Sequence, residues 1–362
     1  MAKRIHKMQE FLKANKLDAI LLTTKTMKKY IDTLTGGGCK VLITKSNGYL
    51  FLDGRYIADA QENEHDLEII LYSPHKSGRS YMESVESLLK KHECKTLGIE
   101  SSEMKIEDYF QLKELDIELR LLGEQIAMIR IQKEAEEIAL MQEAVDITDK
   151  IYNKVVKQLK VGMSEYEISA LIQYYAVHYG AQQMSFDTIV GSGERSALPH
   201  GRPTSRKIQA HEPILMDFGI QYKNYQSDMT RVVFIGNPKP EIEKIYQIVL
   251  QAQLAGIKAM KTGVTASDVD KAARDIIEAQ GYGAYFDHGL GHGLGIGDGC
   301  EYPILNQKGK VILAENMMMS CEPGIYLPGV GGIRIEDDVV IRNGVGVPMN
   351  KTTKEIVILA ER

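Results

Sequence analysis

The chain has 362 residues, 44% hydrophobic and 26% charged, and 44 Lys and Arg against 49 Asp and Glu leave a net charge of −5. That length allows about two domains and a core large enough to need no staple. The mild acidity argues against broad, sequence-blind binding of nucleic acid, which requires a basic face.

No run of about 18 apolar residues occurs, so no membrane span is expected. Cys39, Cys94, Cys300 and Cys321 lie far apart without CxxC spacing and read as reduced thiols of a cytoplasmic protein. Charges continue through MAKRIHKMQEFLKANK, unlike a signal peptide, while Ile5, Met8, Phe11 and Leu12 recur at helical spacing. A helix is therefore expected over 4–15. Strands follow at 17–24, 40–46 and, after the turn Ser46-Asn47-Gly48, 49–53. Helices are expected over 56–64 and 79–92, with a buried strand at 96–100. This alternation predicts an α/β domain with a parallel or mixed sheet.

The pattern changes near residue 125, which divides the chain into expected domains 1–125 and 126–362. A long amphipathic helix spans 133–160, with Ile138, Met141, Ala144, Val145, Thr148 and Ile151 on one face. Val161-Gly162 ends it, and Ser164 with Glu167 forms a capping box for a helix over 165–179. After residue 184, strands alternate with Gly-rich turns, and two more helices are expected over 240–261 and 266–280. No internal repeat is visible.

Three clusters carry candidate chemistry. In PILMDFGIQYKNYQSDMTRVVFIG, Asn224 tolerates the left-handed backbone of a tight turn, so a two-residue hairpin at Lys223-Asn224 is expected. In that register Asp217 faces Thr230, and Asp228 points to the same face, within diagonal cross-strand reach. Two such carboxylates repel and are costly to bury without a cation; the alternative leaves one in solvent at the hairpin end. In FDHGLGHGLGIGDGCEYP, glycines around His288 and His292 disfavour a helix. Their backbone is expected either to pack close to a ligand or strand, or to form a loop with an incidental histidine. In MMMSCEPGIYLPGVGGIRIEDDVVIR, Glu322 ends an apolar run, while Arg334, Glu336 and Asp338 share one face of an expected strand. Singly, these read as a solvated strand end and a surface ion pair. Together, four carboxylates and one histidine suit a pair of hard or borderline divalent cations.

The stretches SFDTIVGSGERSALPH, DFGIQYKNYQSDMTR, HGLGHGLG, CEPGIY and GGIRIEDDVV resemble the pita-bread metallopeptidases, in their Xaa-Pro aminopeptidase and Xaa-Pro dipeptidase (prolidase) branch. The resemblance covers nearly the whole chain. It implies an α/β N-terminal domain of the creatinase/prolidase kind and an α+β pita-bread catalytic domain. It further implies two divalent ions, Mn2+ first and Co2+ or Zn2+ as alternatives. Asp217 would be a terminal ligand on one ion, His292 and Glu322 would bind the other, and Asp228 and Glu336 would bridge both. A bridging water would attack the carbonyl before proline, and Glu322 would shuttle a proton to the leaving nitrogen. His200 and His288 match substrate-contacting histidines, His200 also as a catalytic group, and Arg334 would orient a ligand carboxylate. The implied substrates are proline-containing peptides, and relatives form homodimers.

Aminopeptidase activity is the first expectation and the dipeptidase the alternative. A metal-free amidinohydrolase or a non-catalytic scaffold of the same fold is disfavoured by the five retained ligand positions. The long N-terminal domain disfavours methionine aminopeptidase. One departure stands out: the branch carries a His-Glu pair about seven residues after the ligand histidine. Here the loop is one residue longer and reads Cys300-Glu301.

Overall fold

The computed structural model describes residues 2–62, 66–73, 80–297 and 299–361. It divides into two compact units, with the division after Arg130. The expected boundary at residue 125 falls instead inside a short helix, Glu124–Met128. Expectations for residues 63, 64 and 79 lie outside the described residues.

The first unit runs α1 (Ala2–Ala14), β1 (Ala19–Leu22), α2 (Lys25–Tyr30), β2 (Cys39–Thr44), β3 (Gly48–Leu52), α3 (Ile57–Glu62), β4 (Glu68–Leu71), α4 (Tyr81–Lys91), β5 (Thr96–Glu100), α5 (Ile106–Lys113), β6 (Glu118–Leu122) and α6 (Glu124–Met128). Its six strands form one mixed sheet in the order β4-β3-β2-β1-β5-β6. The fully buried β1 pairs antiparallel with β2 and parallel with β5. β1 stops short of the expected residue 24 because Thr24 is the N-cap of α2, accepting from the Met27 amide at 3.1 Å. The strands missed from sequence, β4 and β6, are the sheet edges. Their side chains are largely exposed, so they lack the apolar alternation that betrays a strand.

The second unit contains α7 (Ala135–Val156), α8 (Glu165–His178), β7 (Gln183–Met184), β8 (Ile189–Ser192), β9 (Ile214–Phe218), β10 (Ile220–Tyr222), β11 (Tyr225–Gln226), β12 (Met229–Ile235), α9 (Pro240–Ala259) and α10 (Ala266–Ala279). It continues through β13 (Gly291–Gly293), β14 (Glu301–Leu305), β15 (Met318–Cys321), β16 (Gly324–Leu327), β17 (Gly331–Arg334), β18 (Asp337–Arg342), β19 (Val345–Pro348) and β20 (Val357–Leu359). The predicted face of α7 is buried throughout, and the Ser164–Glu167 capping box opens α8.

β9 and β12 are buried on both faces. Ile214, Met216, Phe218, Val233 and Ile235 pack with Ile151, Ile168 and Ile172 of α7 and α8. The alternate residues Leu215, Val232 and Phe234 pack with Val249, Val269 and Ala273 of α9 and α10. These strands are thus the shared wall between two cores.

The second unit also holds a duplication that the sequence hid. The α7–α8 turn has Gly162 at φ 88° and Ser164 as N-cap; the α9–α10 turn has Gly263 at φ 87° and Thr265 as N-cap. Both caps form an isolated antiparallel bridge, Ser164 to Lys207 and Thr265 to Ile312. Only the turn chemistry is shared, Lys160-Val161-Gly162-Met163-Ser164 against Lys261-Thr262-Gly263-Val264-Thr265.

One buried ion pair braces the wall. Arg231 bonds Asp337 at 2.6 Å, and its guanidinium also donates to the Thr352 and Thr353 carbonyls at 3.0 Å each. Arg231→Leu strands Asp337 with only Lys354 and Gln253. It is expected to cost about 3–5 kcal/mol in a denaturant melt; a loss below about 1 kcal/mol would refute the bracing role.

Candidate active site

The hairpin forms where the turn chemistry placed it. Lys223 and Asn224 both adopt positive φ, 47° and 71°, and Thr230 pairs with Asp217 in the β12–β9 ladder. Between the two acids the strands approach so closely that a Cβ on Gly219 would lie 1.8 Å from the Ser227 carbonyl oxygen. Only glycine fits there. Asp217 and Asp228 are both buried, so neither points to solvent.

The glycine-rich segment is not a loose loop either. A Cβ on Gly291 would lie 2.3 Å from the Ser320 carbonyl oxygen, and one on Gly293 would lie 2.0 Å from that of Tyr302. Stripped of side chains, β13 is wedged between β14 and β15. The preceding turn is held by α10, where Arg274 bonds Asp270 and donates to the carbonyl of His288 at 2.7 Å. Asp270 accepts in turn from the Leu290 amide at 3.0 Å.

The third cluster differs from expectation. IRIEDDVV is not one strand: β17 ends at Arg334 and pairs with β16, while β18 starts at Asp337 in another sheet. Glu336 sits in the switch between them, 1% exposed. Arg334 is not a surface residue. It bonds Asp217 directly, Thr230 Oγ1 at 3.0 Å and the Tyr326 hydroxyl at 2.9 Å.

The four carboxylates, three histidines and Arg334 singled out in the sequence all line one cavity of about 400 Å³, together with Cys300. Among the described residues, Asp217, Asp228 and Glu336 each offer an oxygen within 4.8 Å of the others. Asp217 Oδ1, Asp228 Oδ1 and Glu336 Oε1 are buried without any hydrogen-bond donor. Acceptors left in that state fit a cation and little else. His292 donates from Nδ1 to the Gly293 carbonyl at 3.0 Å, which turns Nε2 toward Asp228 (3.7 Å) and Glu322 (3.5 Å). Three buried oxygens, a further carboxylate and one imidazole nitrogen form a hard-to-borderline donor set.

The electrostatics agree. Burial, then the charge of Glu336 and its neighbours, push the Asp228 carboxyl well above its usual range. Burial and the charge of Glu322 do the same to Glu336, and burial raises Asp217 against the opposing charge of Arg334. Burial lowers the His292 pKa, but the hydrogen-bonded Cys300 and the charge of Glu322 overcome it and push it up to about 10. The cluster draws positive charge into its centre.

Several supporting contacts escaped the sequence reading. Thr230 donates to Glu336 at 2.7 Å, Asp338 accepts from the Asp228 amide at 2.9 Å, and Ser320 donates to Glu322 at 3.0 Å. Tyr326 links His288 to Arg334. Because His288 Nδ1 donates to the Gly289 carbonyl, its Nε2 accepts from the Tyr326 hydroxyl, and burial keeps the ring neutral by lowering its pKa. His200 is exposed at the rim.

Residues 139–343 match metallopeptidase family M24, and residues 4–132 match the creatinase/prolidase N-terminal domain. The chain belongs to metallopeptidase family M24. It is 34% identical to the Xaa-Pro dipeptidase of Pyrococcus horikoshii, over 99% of both chains. The solved Xaa-Pro dipeptidase from Bacillus anthracis superposes with a TM-score of 0.93, at 34% identity over 99% of each chain. The X-Pro aminopeptidase from Thermotoga maritima superposes at 0.86, with 32% identity over 95% of this chain and 98% of that one. The two-unit layout, with a creatinase-type first unit and a pita-bread M24 second unit, is the one expected from the sequence.

Proposed function

We propose that this M24 protein is a dinuclear Xaa-Pro dipeptidase, which reverses the order expected from the sequence. The observation that carries the metal-dependent chemistry is the trio of buried, donorless oxygens on Asp217, Asp228 and Glu336. The dipeptidase assignment draws support from the dipeptidases of Pyrococcus horikoshii and Bacillus anthracis, both similar over 99% of this chain. Asp217, Asp228, His292, Glu322 and Glu336 would hold two divalent ions. Bound there, the ions would polarise the scissile carbonyl and lower the pKa of the attacking water.

The chain's own groups supply the rest. Glu322 Oε1 accepts from Ser320, leaving Oε2 to carry a proton to the leaving nitrogen. Arg334 offsets one of the clustered charges through Asp217. Neutral His288 and rim-placed His200 face the substrate. Phe186, Ile189, Pro199, Leu294 and Ile304 give the cavity an apolar wall for a pyrrolidine ring, which lacks an N–H to satisfy.

A second reading, the aminopeptidase, is favoured by an open groove that shares Pro199, His200 and His288 with the cavity and continues past Arg195 and Arg202. That groove has room for residues beyond proline. Hydrolysis of an Xaa-Pro dipeptide is expected to exceed that of the Xaa-Pro-Yaa tripeptide by at least about tenfold in kcat/KM. Preference for the tripeptide would install the second reading. Purified protein without bound or activating divalent ions would refute both.

A further inference from the structure

We propose that Glu165, a buried acid that does not line the cavity, is a positioning residue for substrate: it clamps both ends of the rim segment that carries Pro199 and His200. The proposal rests on the peptidase reading above and concerns how that site holds its substrate.

Glu165 opens α8 and is 0% exposed. Its Oε1 accepts from the Ser192 amide and from Ser192 Oγ, both at 2.9 Å. Its Oε2 accepts from the Thr204 amide at 2.9 Å, from Thr204 Oγ1 at 2.6 Å and from Arg195 Nε at 3.1 Å. Ser192 is the last residue of β8, where it pairs with Ile214 of β9, so one end of the segment is fixed to the shared wall. Thr204 marks the return to α8, its carbonyl accepting from the Tyr166 amide at 3.1 Å. Between these ends, Arg195 donates to the Arg202 carbonyl at 2.8 Å, and Ser196 Oγ accepts from the Gly332 amide of β17 at 2.7 Å. Pro199 and His200 stand on the stretch that these ties enclose, and they line both the cavity and the open groove. His200 is exposed, so the backbone of this segment, rather than packing, sets where its ring stands.

A carboxylate accepts at both of its oxygens. An amide in its place accepts at one end and turns its N–H groups onto backbone donors at the other, so one end of the segment is released. Substrate then binds only the fraction of molecules whose rim is in place, and apparent affinity falls by that fraction. Saturating substrate restores the ordered rim and with it the turnover.

The test compares full-length, ion-loaded wild type, E165Q, H200A and the double variant. The substrate is whichever of the Xaa-Pro dipeptide and Xaa-Pro-Yaa tripeptide wild type cleaves faster. E165Q is expected to raise KM about tenfold with kcat within about threefold of wild type. In the H200A background the same change is expected to raise KM by less than about twofold, because the group it positions is gone. Hydrogen exchange over 193–204 is expected to quicken about tenfold or more in E165Q, while exchange over 214–235 holds. R195A leaves the other four donors on Glu165 and is expected to show the same pattern with KM raised about threefold. It decides the matter if E165Q does not fold. Additive KM effects, a loss confined to kcat, or unchanged exchange over 193–204 would overturn the proposal and leave the peptidase reading intact. Wild type that cleaves neither peptide would overturn both.

Discussion

Asp228→Asn is expected to abolish peptide hydrolysis while leaving the ion-free protein folded and somewhat more stable than wild type near neutral pH. Burial raises the Asp228 pKa first, and the like charges of Glu336, Asp217, Glu322 and Asp338 raise it further. Its Oδ1 has no donor and its backbone amide is already held by Asp338. An amide of the same shape removes one buried charge and brings two N–H donors to neighbouring carboxylates, so the empty cluster repels less. The same change removes an anionic ligand that would bridge both ions. The activity loss should therefore exceed the 10–100-fold typical of groups that merely support a ligand. Parallel assays of rate, ion binding and melting separate the two effects. A wild-type rate, or a destabilised apoprotein, would refute the assignment of Asp228. Glu336→Gln is expected to behave alike, since its Oε1 is orphaned in the same way.

The second large effect is on stability against pH. Asp228, Glu336 and Asp217 all have carboxyl pKa values above their unfolded values. Between the two values the folded state binds more protons than the unfolded one, so their stabilising contribution is complete below about pH 4 and drains away as pH rises. His292 acts with the same sign at higher pH. Its pKa near 10 in the folded chain means a contribution present below about 6.5 and lost on the way to 10. Asp18 and Glu167 run the other way, but their pKa values of about 2 confine that gain to acid solution. The chelator-stripped protein is therefore expected to melt at lower temperature at pH 7.5 than at pH 5. Divalent ions at about a hundred times their Kd should restore roughly 2.7 kcal/mol and flatten the slope. An ion-free melting temperature that rises across this interval would show that the cluster is not the repulsive centre described.

The parts of this site that the sequence exposed were those governed by local rules. The Lys223-Asn224 turn set the register, and the register alone put Asp217 opposite Thr230. The glycines around His292 announced close backbone approach. What stayed hidden depended on distant partners. IRIEDDVV reads as a single strand because nothing local signals that the chain changes sheets at Glu336. Arg334 and Glu336 looked like a surface pair because their partners, Asp217, Thr230 and Tyr326, come from other strands. In the first unit, β4 and β6 escaped because edge strands need bury little. The twin helix turns escaped because the shared pattern is only five residues long.

The shared wall of β9 and β12 limits how this chemistry can change over evolutionary time. With both faces packed, a slip of one residue would exchange two sets of core side chains at once, so Asp217 and Asp228 are fixed in space by the hydrophobic residues between them. Descendants of such a protein can lose or alter the reaction only by substituting a side chain in place, not by sliding the strand that bears it. The loop carrying Cys300 lies outside that wall. A substitution in that loop leaves the packed strands, and with them Asp217 and Asp228, in place.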